Sequence, residues 1–129
     1  MAIRIVRLGS PRAPGDGPRL GTVRRPPRGV PRAEFARRDF YDLWLPLLSP
    51  SAALVKQAQA ARDEKEWARF FRKFTSEIEH GPGAQVLDLL AALSHSTDFS
   101  LGCYCEDDRR CHRKALRALL EKRGAALRP

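Results

Sequence analysis

The stretch DFSLGCYCEDDRRCHRKALRALLEKRG, residues 98–124, holds both kinds of secondary structure that decide the fold. From Asp98 to Cys105 apolar residues alternate with small or polar ones, which predicts a β-strand. From about Asp108 apolar residues recur every three or four positions, which predicts a helix that ends at Gly124. A strand followed directly by a helix is typical of parallel sheets whose strands are joined by helical crossovers.

Further strands and helices are predicted N-terminal to this stretch. Residues 3–8 and 20–25 contain β-branched residues and are closed by Gly or Pro, so each predicts a short strand. Helices are predicted at about 50–62, 67–78 and 86–94. The expected fold class is α/β, with a small, mainly parallel sheet of about three strands covered by helices, in a single domain over residues 1–129. A Pro/Gly/Arg-rich segment at about 9–20 is expected to be a flexible, exposed loop.

Composition and charge point to a folded, basic protein. Hydrophobic residues at 43% and charged residues at 30% argue against disorder over most of the chain. The net charge of +9 is concentrated at the two ends: residues 1–40 hold 10 basic against 3 acidic residues, and residues 101–129 hold 8 against 4. Such a balance attracts anions, although an Arg-rich surface without a specific partner explains it equally well.

The cysteine count and the lack of long apolar runs bear on compartment. Three cysteines make a poor disulfide framework, because an odd number leaves one thiol unpaired. Reduced thiols fit the cytoplasm, and we find no export signal. No run approaches the ~18 apolar residues of a membrane span, so we expect a cytoplasmic protein without a membrane partner.

The junction between the predicted C-terminal strand and helix is the candidate site. Ligands of open α/β sheets bind at the carboxyl ends of strands, and the unpaired N–H groups at a helix start favour anions. The loop after the second strand is expected beside this junction, because parallel strands end at one edge. We therefore expect arginines of that loop near His112, with Asp39 and Asp42 as their partners. The candidates for catalysis are Cys105, Cys111 and His112, and those for ligand binding are Arg24, Arg25, Arg28, Arg109 and Arg113.

These residues resemble a known family. The matching motifs are Gly102-Cys103-Tyr104-Cys105-Glu106-Asp107 with Cys111-His112-Arg113, Arg24-Arg25-Pro26-Pro27-Arg28-Gly29-Val30, and Asp42-Leu43-Trp44-Leu45-Pro46 leading to Ser49-Pro50-Ser51. Together they resemble the domain of unknown function family 488 (DUF488), the YeaO-like proteins, over nearly the whole chain. The resemblance implies an α/β fold and a shared polar site, and it implies no established reaction.

Two chemical interpretations of the cysteine segment are weak on spacing. Cys103, Cys105, Cys111 and His112 are numerous enough for zinc, but two adjacent residues in one helical turn diverge by roughly 100°, so we expect no bound metal and no cofactor. The Cys-x5-Arg spacing from Cys103 to Arg109 matches phosphatase and sulfurtransferase loops, but acidic residues inside it would repel a phosphate.

Several functions therefore stay open at the level of sequence. The leading expectation is that the chain binds a small phosphate-bearing or other anionic ligand, with or without catalysis. One alternative is a non-catalytic nucleic-acid-binding protein that uses its positive charge. Another is a thiol-dependent, phosphatase-like or sulfurtransferase-like enzyme. The plainest interpretation is structural, with Cys103 and Cys105 as small buried residues and His112 as a satisfied hydrogen-bonding group. Whether the chain is an enzyme, and its oligomeric state, stay open.

Overall fold

Four short strands form an all-parallel sheet in the computed structural model, which describes residues 1–129 except for the side chain of Asp108. The strands are β1 (Ile3–Arg7), β2 (Arg19–Gly21), β3 (Leu43–Trp44) and β4 (Phe99–Cys103), in the order β1-β4-β2-β3. The predicted α/β class with a parallel sheet is confirmed, with four strands in place of about three. The β3 strand was missed because two exposed residues are too few to show an alternating pattern.

Four helices accompany the sheet in the described part of the chain. They are α1 (Ala52–Ala60), α2 (Glu64–Glu79), α3 (Gly83–Leu93) and α4 (His112–Lys122). The most regular one, α2, begins where Asp63 accepts a hydrogen bond from the backbone N–H of Glu66 at 2.8 Å. No helix in the described residues is both long and apolar enough to cross a membrane.

The hydrophobic core lies between the sheet and the helices. Phe70 and Phe74 of α2 stack at a centroid distance of 6.2 Å and pack in one buried cluster with Leu101 of β4 and Leu116 of α4. A second, smaller cluster lies at the carboxyl ends of the strands. Its buried members are Val6, Leu8, Val23, Tyr41, Cys103 and Cys111.

The last helix begins later than predicted. Residues Asp108–Arg110 form a separate 3-10 turn, and α4 starts at His112. Between them Cys111 has an extended backbone, with φ −150° and ψ 150°, and is the N-cap of α4. The expectation that Cys111 and His112 share the first helical turn is therefore wrong.

The segment predicted to be an exposed loop at about 9–20 is partly buried. It has no helix and only the start of β2, but Asp16 is 2% exposed and Arg19 is 1% exposed. Arg19 donates hydrogen bonds to the backbone carbonyls of Ser10 and Pro11 at 2.7 and 3.2 Å, so its guanidinium ties the loop together. The burial was missed because Asp and Arg are normally exposed unless they are paired with each other. Flexibility of this segment stays a prediction.

Candidate functional site

The candidate site lies beyond the carboxyl ends of β2 and β4. These strands are neighbours, with Gly21 paired to Gly102, so the residues that follow them emerge side by side. Thr22 follows β2, Cys103 ends β4, and the start of α4 returns to the same edge. The parallel sheet therefore brings together segments that are far apart in sequence, because parallel strands end at the same edge.

His112 is held in one orientation by the end of β2. Its Nε2 atom lies 2.5 Å from the backbone carbonyl oxygen of Thr22, and a carbonyl oxygen only accepts, so Nε2 carries the proton. The ring packs edge-on against Phe74 with a centroid distance of 5.5 Å. Burial lowers the pKa of His112 to about 4, so the imidazole is neutral near pH 7. Its other nitrogen, Nδ1, consequently presents a lone pair.

Two buried thiols lie next to this imidazole. Cys103 Sγ lies 2.7 Å from Cys111 Sγ, and both residues are buried. Cys111 Sγ lies 3.7 Å from Nδ1 of His112. Hydrogen bonding with the Cys105 and Cys111 sulfurs, followed by burial, raises the pKa of Cys103. Cys105 is exposed, and hydrogen bonds from Cys103 and then Cys111 outweigh desolvation and lower the pKa of Cys105.

Arg113 places a buried cation beside the thiols. Its residue is 5% exposed, and its Nη2 atom donates to the backbone carbonyl of Cys105 at 2.7 Å. Its Nε atom is buried without a hydrogen-bond partner among the described atoms. Burial would lower the pKa of Arg113, but the thiols of Cys103 and Cys111 outweigh it and raise that pKa. The guanidinium therefore stays charged inside the site.

The arginine loop after β2 lies at the same edge through its backbone. Tyr104 donates its hydroxyl to the carbonyl of Arg25 at 3.0 Å, which joins this loop to the segment after β4. Arg24 does not turn to His112; its Nε atom donates to the carbonyl of Pro50 at 3.0 Å, next to the start of α1. Arg25 and Arg28 are exposed.

The carboxylates expected to pair with these arginines bind elsewhere. Asp39 and Asp42 both pair with Arg12, at 3.3 and 2.9 Å, so that expectation is wrong. Asp42 also accepts from the backbone N–H of Arg19 at 2.7 Å, because it lies next to the edge strand β3 and faces β2. Asp39 and Asp42 therefore do not neutralise the loop arginines.

Arg109 lies apart from the cysteine cluster. With Arg110 and Lys114 it lines a groove of about 430 Å³ against α2, and its Nε atom is 3.5 Å from a carboxylate oxygen of Asp107. Cys103 is instead buried against Cys111. The two ends of the Cys-x5-Arg spacing thus do not face one common cradle.

A family model described as "DUF488-N3a: Active DUF488-N3 subclade" matches residues 3–124. The chain belongs to the DUF488 family. The resemblance inferred from the cysteine segment and the arginine loop is thereby confirmed. Neither the curated proteins nor the solved structures contain a match to this DUF488 chain.

Two contributors to the candidate site could not be predicted from the sequence. Thr22 fixes the tautomer of His112 through its backbone, and its hydroxyl donates to the carbonyl of Gly102 at 3.0 Å. Pro50 holds Arg24 through its carbonyl. Backbone groups carry no side-chain signal in a sequence, so only the position of Thr22 after a strand could have suggested a role.

Proposed function

We propose that this DUF488 chain binds a small phosphate-bearing or otherwise anionic ligand at the carboxyl edge of its sheet. The observation that carries the proposal is that two guanidiniums donate hydrogen bonds to uncharged groups. Arg24 and Arg113 are each fixed by a backbone carbonyl, at 3.0 and 2.7 Å, and a carbonyl is neutral. Their positions are thus set without an ion pair to any carboxylate among the described side chains.

The nearby acidic side chains support this interpretation. Glu106 pairs with Arg7 at 3.4 Å and Glu34 with Arg37 at 2.6 Å. Among the described side chains no carboxylate forms an ion pair with Arg24 or Arg113. A buried charge that no carboxylate among the described side chains neutralises is costly, so an anion that reaches Arg113 is stabilised. The exposed Arg25 and Arg28, in the same loop as Arg24, add positive potential.

Burial of Arg113 favours a compact anion over a nucleic acid. A phosphate group can approach a recessed guanidinium, whereas duplex DNA contacts proteins through many exposed cations. Binding of a compact anion by two arginines predicts a weak salt dependence. A nucleic-acid complex loses affinity with a log–log slope of about −0.9 per neutralised phosphate.

A thiol-dependent reaction on the bound ligand is the second candidate function. It is favoured by Cys105, whose thiol is exposed at this edge while its carbonyl holds Arg113. The name of the matching subclade contains the word "Active", which agrees with a reaction. Free thiols fit a reducing cytoplasm, the location we propose. Iodoacetamide labelling of Cys105 that bound phosphate slows would support this function, and labelling indifferent to phosphate would count against it.

Calorimetry with pyrophosphate, a mononucleotide and a random DNA duplex at two salt concentrations tests the binding proposal. We expect the small anions to bind, and Arg24→Gln to weaken that binding about tenfold or more because a charge-assisted hydrogen bond is lost. Arg24→Lys should recover part of the affinity. Arg69→Gln removes an exposed charge from α2 and serves as the matched control. Tight duplex binding with a steep salt slope, equal in all variants, would contradict the proposal.

A further inference from the structure

We infer that Cys103, Cys111 and His112 form a binding site for a thiophilic divalent cation of the zinc type. Sγ of Cys103, Sγ of Cys111 and one ring nitrogen of His112 all lie within 4.8 Å of one another, and the three residues are buried. This inference goes beyond the proposed anion site and does not depend on it.

The backbone conformation at Cys111 makes a metal site possible, although the sequence spacing argued against one. Two adjacent helical residues point about 100° apart, but Cys111 is extended and only His112 is helical. Cys103 arrives from the end of β4. The three ligand atoms therefore converge from a strand, a cap and a helix start.

The distances are close to those of a tetrahedral zinc site. With Zn–S near 2.3 Å and Zn–N near 2.0 Å, two ligand atoms lie about 3.6 to 3.8 Å apart. The 3.7 Å from Cys111 Sγ to His112 Nδ1 already matches. The 2.7 Å between the two sulfurs must widen by about 1 Å, which a small rotation of two side chains provides.

The hydrogen bonding of His112 favours a metal site over a simple pair of thiols. A metal-ligating histidine normally donates its other ring N–H to a carbonyl or carboxylate, which fixes the tautomer. His112 does so with the carbonyl of Thr22, so Nδ1 has a buried lone pair aimed at sulfur. A disulfide between Cys103 and Cys111 would leave that lone pair without a partner.

The charges also fit a divalent cation. Binding releases the protons of both thiols, so two thiolates and one neutral imidazole balance the two positive charges. Three protein ligands leave a fourth position for water or another ligand, as in catalytic zinc sites. Arg113 then remains free to hold an anion next to the metal, since its own partner is a backbone carbonyl.

Metal analysis and cobalt titration of the reduced full-length chain test the site. We expect stoichiometric zinc after purification without chelators. We also expect that Co²⁺ added to the zinc-free protein gives sulfur-to-cobalt charge-transfer absorption and the d–d bands of tetrahedral coordination. Cys103→Ser and Cys111→Ser should each lose most of both signals. His95→Ala, at an exposed histidine outside the trio, should keep them.

The wild-type spectra test the metal site even if the buried variants fold poorly. Absence of zinc together with absence of charge-transfer absorption on adding Co²⁺ would overturn the site. So would a Cys103–Cys111 disulfide in chain purified from a reducing cytoplasm. Because no anion is added, these results are independent of pyrophosphate binding, and either proposal can fail alone.

Discussion

Nε2 of His112 and the backbone carbonyl oxygen of Thr22 lie 2.5 Å apart and join the start of α4 to the end of β2. Thr22 in turn follows the strand that pairs with β4, and its own N–H donates to the carbonyl of Gly102 at 2.9 Å. One buried imidazole thus links the two middle strands of the sheet to the last helix. This contact therefore both orients a residue of the candidate site and stabilises the fold.

Replacing His112 by Ala is therefore expected to destabilise the protein. The change leaves the carbonyl of Thr22 without its donor and opens a cavity against Phe74, for a combined loss of about 2 to 4 kcal/mol in the free energy of unfolding. Urea denaturation measures it. His95→Ala, at an exposed histidine, should change stability by about 0.5 kcal/mol or less. Equal effects of the two substitutions would contradict the structural role of His112.

Asp16 should make stability depend on acid pH. Burial would raise the pKa of Asp16, but the N–H of Ala13 and then the guanidinium of Arg4 outweigh it, so that pKa lies below its usual range. A lowered folded pKa means that the stabilisation is complete above the ordinary carboxyl pKa of about 3.9 and is lost as the pH falls below it.

The variant Asp16→Asn isolates this contribution. Its deficit in unfolding free energy should be largest near neutral pH and should shrink as urea denaturation is repeated towards about pH 3. Asp88→Asn, at an exposed carboxylate on α3, is the control and should cost little. A deficit for Asp16→Asn that stays constant over this range would contradict the pairing.

Gly17 should resist substitution because the loop around it is packed. Its φ is +59°, and a Cβ atom there would lie 2.0 Å from the carbonyl oxygen of Asp98. Gly29 has a similar φ of +74° but open space around it. Gly29→Ala should cost about 1 to 2 kcal/mol for backbone strain, and Gly17→Ala clearly more, because it adds a clash with backbone. Thermal denaturation of both variants makes the comparison, which equal midpoints would refute.

Leu101 should be among the most sensitive core positions. It is fully buried in β4, between β1 and β2. Leu101→Ala is expected to lower the free energy of unfolding by about 3 to 5 kcal/mol, the range for a large buried side chain that leaves a cavity. Leu89→Ala, on α3 and 57% exposed, should cost about 1 kcal/mol or less. Urea titrations that give the two variants similar midpoints would contradict this placement of β4.

The sequence predicted the fold class because its pattern is local. Residues 99–103 alternate visibly, and the apolar positions of α2 recur at helical spacing over 16 residues. The register of β4 between β1 and β2 could not be predicted, because it depends on contacts between distant segments. The edge strand Leu43–Trp44 is too short for any local pattern.

The candidate site was predictable in position and not in geometry. A strand that ends in cysteine and a following Cys-His-Arg triplet located it, because parallel sheets bind ligands at that edge. Whether Cys111 lies inside α4 or before it depends on a 3-10 turn at Asp108–Arg110 that has no distinctive signal. The buried pair of Asp16 and Arg19 was likewise hidden, because their partners are loop carbonyls and each other.

Nitrogen-15 NMR of the full-length chain titrated with inorganic phosphate tests the proposed anion site most directly. We predict saturable shifts of the side-chain Nε–Hε resonances of Arg24 and Arg113, with accompanying amide shifts at Thr22 and Cys105, while Arg69 on α2 stays unchanged. Small, non-saturating shifts spread over all exposed arginines, Arg69 included, with Arg113 unmoved, would contradict an anion site at the carboxyl edge of the sheet.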